Sequence, residues 1–165
     1  MRLLLFLTLP VYVLDQATKW LVVKFLSPTD CVSVIPGFFS LVQVHNTGAA
    51  FGMLKDNNLF FILLASVALV VLAVLARRGC FVDRPTRVGA ALLTAGILGN
   101  LTDRFLHGFV VDFLDVLLPW YGRWPAFNVA DSAICIAAVL FLISSFVGNN
   151  PKTLKLDAGA KSPAK

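Results

Sequence analysis

Residues 59–76 read LFFILLASVALVVLAVLA, eighteen positions without a charge or an amide. As an α-helix such a run is about 27 Å long, close to the roughly 30 Å hydrocarbon thickness of a bilayer. It has no polar face to turn toward water, so its surroundings are either lipid or the core of a large protein. The rest of the chain cannot supply that core. The protein has 165 residues, 58% apolar and 14% charged, with a mean hydropathy of +0.83. Soluble domains run at about 45–50% apolar and about 25% charged. Disordered and collagen-like chains are excluded by the same figures, and three cysteines form no disulfide framework. Four spans of about 20 residues use roughly half the chain, which leaves no room for a separate soluble catalytic domain. Any chemistry sits in or at the membrane.

Three further apolar runs flank this one. The first covers about 3–26 and is interrupted by Asp15 and Lys19. Another covers about 88–105, is rich in small residues and ends in Asn100, Asp103 and Arg104. The last covers about 130–147, with Asp131 as its one charge. The reading is therefore an all-α membrane protein: four transmembrane helices in one domain, residues 1–148, followed by a disordered tail, 149–165. Met1-Arg2 ahead of an apolar run also resembles a cleaved signal peptide. No small-residue cleavage site follows it, however, and its removal would leave three spans with mismatched loop charges. The first run is read as a span.

The net charge of +5 invites a nucleic-acid reading, but its distribution argues otherwise. Nine of the fourteen basic residues lie at Arg2, in the group Arg77, Arg78, Arg84 and Arg87, and in the tail Lys152, Lys155, Lys161 and Lys165. The 27–57 and 106–129 connections hold only Lys55 and Arg123. That asymmetry places both termini and the 77–87 connection in the cytoplasm, and no nucleic-acid partner is expected. Within 31–53, the runs Val32–Ile35 and Phe38–Val44 are separated by Pro36-Gly37, which suggests a small sheet or hairpin on the outer side. Phe38, Phe39, Trp120, Tyr121 and Trp124 suit a membrane–water boundary.

An ionisable group inside a span costs at least about 2.5–3.5 kcal/mol at mid-depth, so each one needs a reason to be there. Asp15 and Lys19 stand four apart and can pair on one helix face. Asp103 shares a helical stripe with Gly96, Asn100 and His107, while its neighbour Arg104 points elsewhere. A structural polar clasp is the reading favoured for Asn100, Asp103 and Arg104. Gly96 and Gly99 permit close backbone approach between helices.

Asp112 and Asp131 differ from these. Neither has a basic residue within helical reach, and both fall at the outer ends of their spans, where the intervening chain doubles back. Two unpaired carboxylates at the edge of an apolar medium are what acid–base hydrolysis requires. One takes a proton from water while the other, kept neutral, hydrogen-bonds the scissile carbonyl. A purely structural account is equally open: Asn128 as an N-cap, Asp131 completing a capping box, and Asp112 and Asp115 as loop acids. Metal chemistry finds no motif, since His45 and His107 are the only histidines, and no phosphate loop occurs. Cys135 has no histidine near it in sequence. A small proton or ion carrier is the main competitor to an enzyme, and a non-enzymatic membrane assembly factor is another. A carrier would place its acids near mid-membrane along a path; these gather at one face.

Five segments taken together carry a resemblance. They are Asp15-Gln16-Ala17-Thr18-Lys19, Val44-His45-Asn46-Thr47-Gly48-Ala49-Ala50-Phe51-Gly52, Gly96-x-x-Gly99-Asn100-x-x-Asp103-Arg104, Val110-Val111-Asp112-Phe113 and Pro125-Ala126-Phe127-Asn128-Val129-Ala130-Asp131. In order and spacing the chain resembles the bacterial lipoprotein signal peptidases, or signal peptidase II. Ala95 stands where a second glycine is common in that family. The resemblance implies an aspartic peptidase of the inner membrane, active near the periplasmic face, with four transmembrane helices and a small periplasmic β-rich cradle. Its substrates would be diacylglyceryl-modified prolipoproteins, cut just before the lipidated cysteine, and membrane lipids would surround it. Globomycin-type cyclic peptides would inhibit it, and no cofactor or metal is implied. Carried over by motif, Asp112 and Asp131 are the catalytic pair. Asn46, Gly48, Gly99, Asn100 and Asn128 line or support the site, Asp103 and Arg104 brace it, and Asp15 and Lys19 support it from the first helix. The segment near 113–126 would be a loop closing over the substrate.

Overall fold

The computed structural model describes residues 2–48 and 54–148. Four helices appear close to the expected runs: α1 (Arg2–Phe25), α2 (Asn58–Arg77), α3 (Arg84–His107) and α4 (Val129–Gly148). Two of them, α2 and α4, are long and apolar enough to cross a membrane on length and composition. Helices α1 and α3 carry charges, Asp15 and Lys19 on one and Asp103 and Arg104 on the other, and their burial explains how those charges are tolerated. Asp15 is fully buried, and Lys19 and Asp103 are 3% exposed. The apolar side chains point the other way. Phe6, Leu9 and Trp20 of α1, Leu63 and Val70 of α2 and Leu142 and Phe146 of α4 are all exposed, and α2 buries none of its residues. This inverted pattern, charges inside and hydrocarbon outside, is what a lipid solvent selects.

Helix α3 packs against the other three helices, and its composition explains why. Its buried positions are mostly Gly and Ala: Gly89, Ala90, Ala91, Ala95, Gly96 and Gly99. Small side chains bring backbones together where no hydrophobic effect exists to drive association. A Cβ built on Gly96 would lie 2.5 Å from the Ala130 carbonyl oxygen and 2.6 Å from Cγ1 of Ile134. Backbone cannot yield as a side chain can, so Gly96→Ala must push α4 away from α3. We expect this variant to lose about 1–3 kcal/mol, the usual penalty for overpacking, read as a lower Tm in detergent. An unchanged Tm would show that the close approach is not a determinant of stability. At its start α3 is capped by Asp83, whose carboxylate accepts from the Thr86 N–H at 2.7 Å, and it ends at Gly108, which adopts φ +80°.

The two connections expected outside are joined by hydrogen bonds into one antiparallel sheet of four strands. They are β1 (Cys31–Ile35), β2 (Phe39–Asn46), β3 (Val110–Leu118) and β4 (Gly122–Arg123), in the order β1-β2-β3-β4. Strands β1 and β2 form the expected hairpin, with Gly37 at φ +72° in its turn. The segment beyond α3 corrects the reading of a loop over 113–126: residues 110–118 are a strand paired with β2. Its inner face rests on α1, where Val111 and Phe113 cluster with Val22. The register sets Val44 opposite Asp112 and Asn46 opposite Val110. One candidate carboxylate therefore rides on a sheet and the other on a helix. The 149–165 tail lies outside the described residues, as does the 49–53 portion of the second motif.

Candidate active site

Asp112 and Asp131 meet through Asn128. The Asn128 backbone N–H donates to Oδ2 of Asp131 at 3.1 Å, and the Asp131 N–H donates back to Oδ1 of Asn128 at 2.9 Å. That reciprocal pair is a complete capping box at the start of α4. The same Asn128 side chain donates through Nδ2 to Oδ1 of Asp112 at 2.8 Å. The structural and catalytic readings of Asp131 are thus not alternatives. The box that starts the helix also holds the two acids in relation to each other.

Two more asparagines complete the arrangement. Asn46, on β2, donates to Oδ2 of Asp112 at 2.8 Å and accepts from the Gly48 N–H at 2.9 Å. Asn100, on α3, donates to Oδ1 of Asp131 at 2.7 Å. Each carboxylate therefore receives a directed N–H bond on both oxygens, while Lys19 bonds elsewhere. Asp112 is 2% exposed. Burial, with the negative charge of Asp131 adding to it, raises its carboxyl from 3.8 to about 7, against the opposing pull of Asn46, Asn128 and Lys19.

Beneath the pair lies an ionic cluster that spacing alone had resolved only in part. Lys19 pairs with Asp15 at 2.8 Å, as i,i+4 geometry suggests, and equally with Asp103 at 3.0 Å. It also donates to Oδ1 of Asn100 at 2.9 Å. Gln16 bonds Asp15, Asp103 and the Gly99 carbonyl. The two outer carboxylates of this triad each hold one backbone N–H: Asp15 that of Ala130 at 2.8 Å, and Asp103 that of Val111 at 3.1 Å. Ala130 immediately precedes Asp131, and Val111 immediately precedes Asp112. A single lysine thus fixes, through one carboxylate on each side, the backbone position before each candidate acid. Gly99 is required by the same cluster, since a Cβ there would lie 2.4 Å from Oδ2 of Asp15.

Of the clasp expected for it, Arg104 makes a bond to the Asn100 carbonyl at 3.4 Å. Its guanidinium donates to the Gly48 carbonyl at 3.1 Å, lies 4.8 Å from the Phe61 ring centroid, and faces the cavity above the acids. That cavity is about 990 Å³ and is lined by Asn46, Asn100, Asp112, Asp131 and Arg104, with Ser132, Cys135 and Ile136 continuing down α4. Its size is at the upper end of the roughly 300–1,000 Å³ of small-molecule pockets. Lys55 also lines it, a residue that sequence reasoning noted only as a loop charge. Asp115, read as a loop acid, is instead 4% exposed and ion-paired to Arg123.

Comparisons with known proteins give the chain's family and its fold relatives. The family model described as Signal peptidase (SPase) II matches residues 7–147. A lipoprotein signal peptidase from Syntrophotalea carbinolica is 44% identical over 153 residues, covering 88% of this chain and 91% of the relative. One from Photorhabdus laumondii is 39% identical over 158 residues, 92% of each chain. A solved structure described as a bacterial membrane enzyme determined by the in meso method at 2.3 Å superposes with a TM-score of 0.80 at 31% identity, covering 98% of this chain and 93% of that one. A second membrane enzyme, at 1.9 Å, gives 0.77 at 33% identity, covering 86% and 90%.

Proposed function

The chain belongs to the signal peptidase II family, and on that premise we propose that Asp112 and Asp131 are the acids with which it hydrolyses prolipoproteins. It is a membrane peptidase that removes signal peptides from prolipoproteins. The finer reading is cleavage just before a diacylglyceryl-modified cysteine, by an aspartic mechanism at the outer edge of the inner membrane. Four transmembrane helices place both termini in the cytoplasm and the sheet in the periplasm. The observation that carries this reading is the junction at Asn128, which joins an acid on a strand to an acid on a helix in a cavity open to both polar and apolar neighbours.

The chemistry follows from one proton shared by two carboxyls. Asp112, pushed up to about 7, holds that proton near neutral pH. Asp131, in the first turn of α4 where backbone N–H groups gather, is the carboxylate. Water attacks the scissile carbonyl carbon and gives a proton to Asp131, while Asp112 donates to the carbonyl oxygen. Collapse of the tetrahedral adduct breaks the C–N bond, the leaving amine takes the proton from Asp131, and Asp112 recovers its own. The acids then hold one proton between them, as at the start. Asn46, Asn100 and Asn128 keep both carboxyls oriented throughout. Arg104 stands over the pair as a positive donor for the substrate backbone.

The test uses purified protein with a diacylglyceryl-modified prolipoprotein and its unmodified precursor, read by gel mobility. The modified substrate should shift and the precursor should not, and globomycin should suppress the shift; an uncut modified substrate would refute the reading. The pH profile supplies a second check. A carboxyl with its pKa raised to about 7 is protonated below that pH and ionised above it, so the one-proton state is lost on the alkaline side. We expect kcat/KM to fall above about pH 7, with apparent values that belong to the pair. A profile flat from about pH 6 to 9 would contradict the shared proton.

A further inference from the structure

A second hollow of about 310 Å³ adjoins the site, and Val44, Trp124, Pro125 and Ala126 line both. What is new in its wall is Val42 on β2 and, at its far end, the Asp115–Arg123 ion pair. The main cavity therefore has two exits. One follows Ser132, Cys135 and Ile136 down α4, toward the apolar side of the molecule. The other leaves along the sheet, away from the helices, and ends beside a guanidinium whose side chain is 61% exposed.

Resting on the peptidase reading above, we infer that this second groove is the subsite for the mature polypeptide: the residues that directly follow the lipidated cysteine. The assignment comes from solvent exposure at the groove's end and from length. A prolipoprotein brings two apolar groups to the site, its signal segment and its acyl chains, and both suit the α4 exit. Its third arm is a polar, extended peptide that must leave toward water, and the sheet exit, which ends at the exposed Arg123, offers that route. Asp112 and Asp115 are three residues apart on one strand, so the groove's end lies about 10 Å from the acids. An extended chain that starts at the lipidated cysteine covers that distance in three further residues. The second to fourth residues of the mature protein therefore lie between β2 and the 123–126 segment, with Val42 and Trp124 as walls. The last of them reaches Arg123, which Asp115 holds in place from its buried position.

Truncation of the substrate tests this without altering the enzyme. A lipid-modified prolipoprotein whose mature chain is shortened residue by residue toward the cysteine should lose about tenfold in kcat/KM as positions four to two are removed. Length beyond position five should have no effect. A series flat down to the cysteine would overturn the subsite. Val42→Trp, a substitution suited to a strand, fills the groove, so the long-to-short ratio of kcat/KM should collapse toward one. A ratio equal to that of the native enzyme would overturn the proposal even if the variant were less active overall. Native enzyme that cleaves neither substrate would instead remove the peptidase reading on which the subsite stands.

Discussion

Asp112→Asn and Asp131→Asn are each expected to lower kcat/KM for a diacylglyceryl-modified prolipoprotein by about 10³-fold or more, the upper range for a lost acid–base group. The double variant should be scarcely worse than either single one, because two acids sharing one proton fail as a unit. The structural cost of each change is separable from this. In Asp131→Asn the amide oxygen can still accept the Asn128 N–H, so the capping box survives in part, but the new NH₂ faces the Asn100 amide, and that lost acceptor costs about 1–3 kcal/mol. In Asp112→Asn the side chain still faces two donors, the amides of Asn46 and Asn128, but only its oxygen can accept. One donor loses its acceptor, which costs about 1–3 kcal/mol. Both variants should therefore fold, each with a lowered Tm, and be inert. Either one retaining more than about a tenth of native activity would remove that acid from the mechanism.

The largest effect on stability is expected from Lys19→Met. The substitution keeps an apolar stem of similar length but strips the one cation from a triad whose acids are almost wholly buried, Asp15 at 0% and Asp103 at 3% exposure. Breaking a buried pair by removing one partner costs about 3–5 kcal/mol, because the stranded charge cannot regain water. Here two charges are stranded. Those carboxylates also hold the N–H groups of Val111 and Ala130, so activity should fall with stability. A triple variant, Lys19→Met with Asp15→Asn and Asp103→Asn, should recover much of the lost Tm, since neutral amides can still accept those two N–H bonds. If the triple variant is less stable than the single one, the charge account is wrong.

Comparing these residues with the chain that encodes them shows what sequence can and cannot carry. The four helices were legible because long apolar runs mark them, and the hairpin because Pro36-Gly37 divides two β-prone segments. Asp15 with Lys19 was legible because four residues is one helical turn. Lys19 with Asp103 was not, since 84 residues separate them and no local spacing encodes which helices touch. The strand Val110–Leu118 was missed for a similar reason. Its Val-Val-Asp-Phe run is compatible with a strand or with an irregular connection, and only its partner, β2, decides between them. Asp115 followed the same error, as an acid in an unrecognised strand looks like a loop acid until Arg123 folds back beside it. The candidate pair itself stood out by contrast, as acids without a nearby base. Their joining through Asn128 was invisible, because a capping box reads identically whether or not its side chain reaches a second acid.

That joining orders the birth of the enzyme. A ribosome emits this chain from residue 1 onward, and Asp112 leaves well before Asn128, Ala130 and Asp131. Until α4 winds its first turn, Asp112 has no Asn128 amide to orient it, and Asp15 has no Ala130 N–H to hold. On the proposed mechanism a half-inserted molecule lacks one of its two acids, and hydrolytic competence arrives with α4.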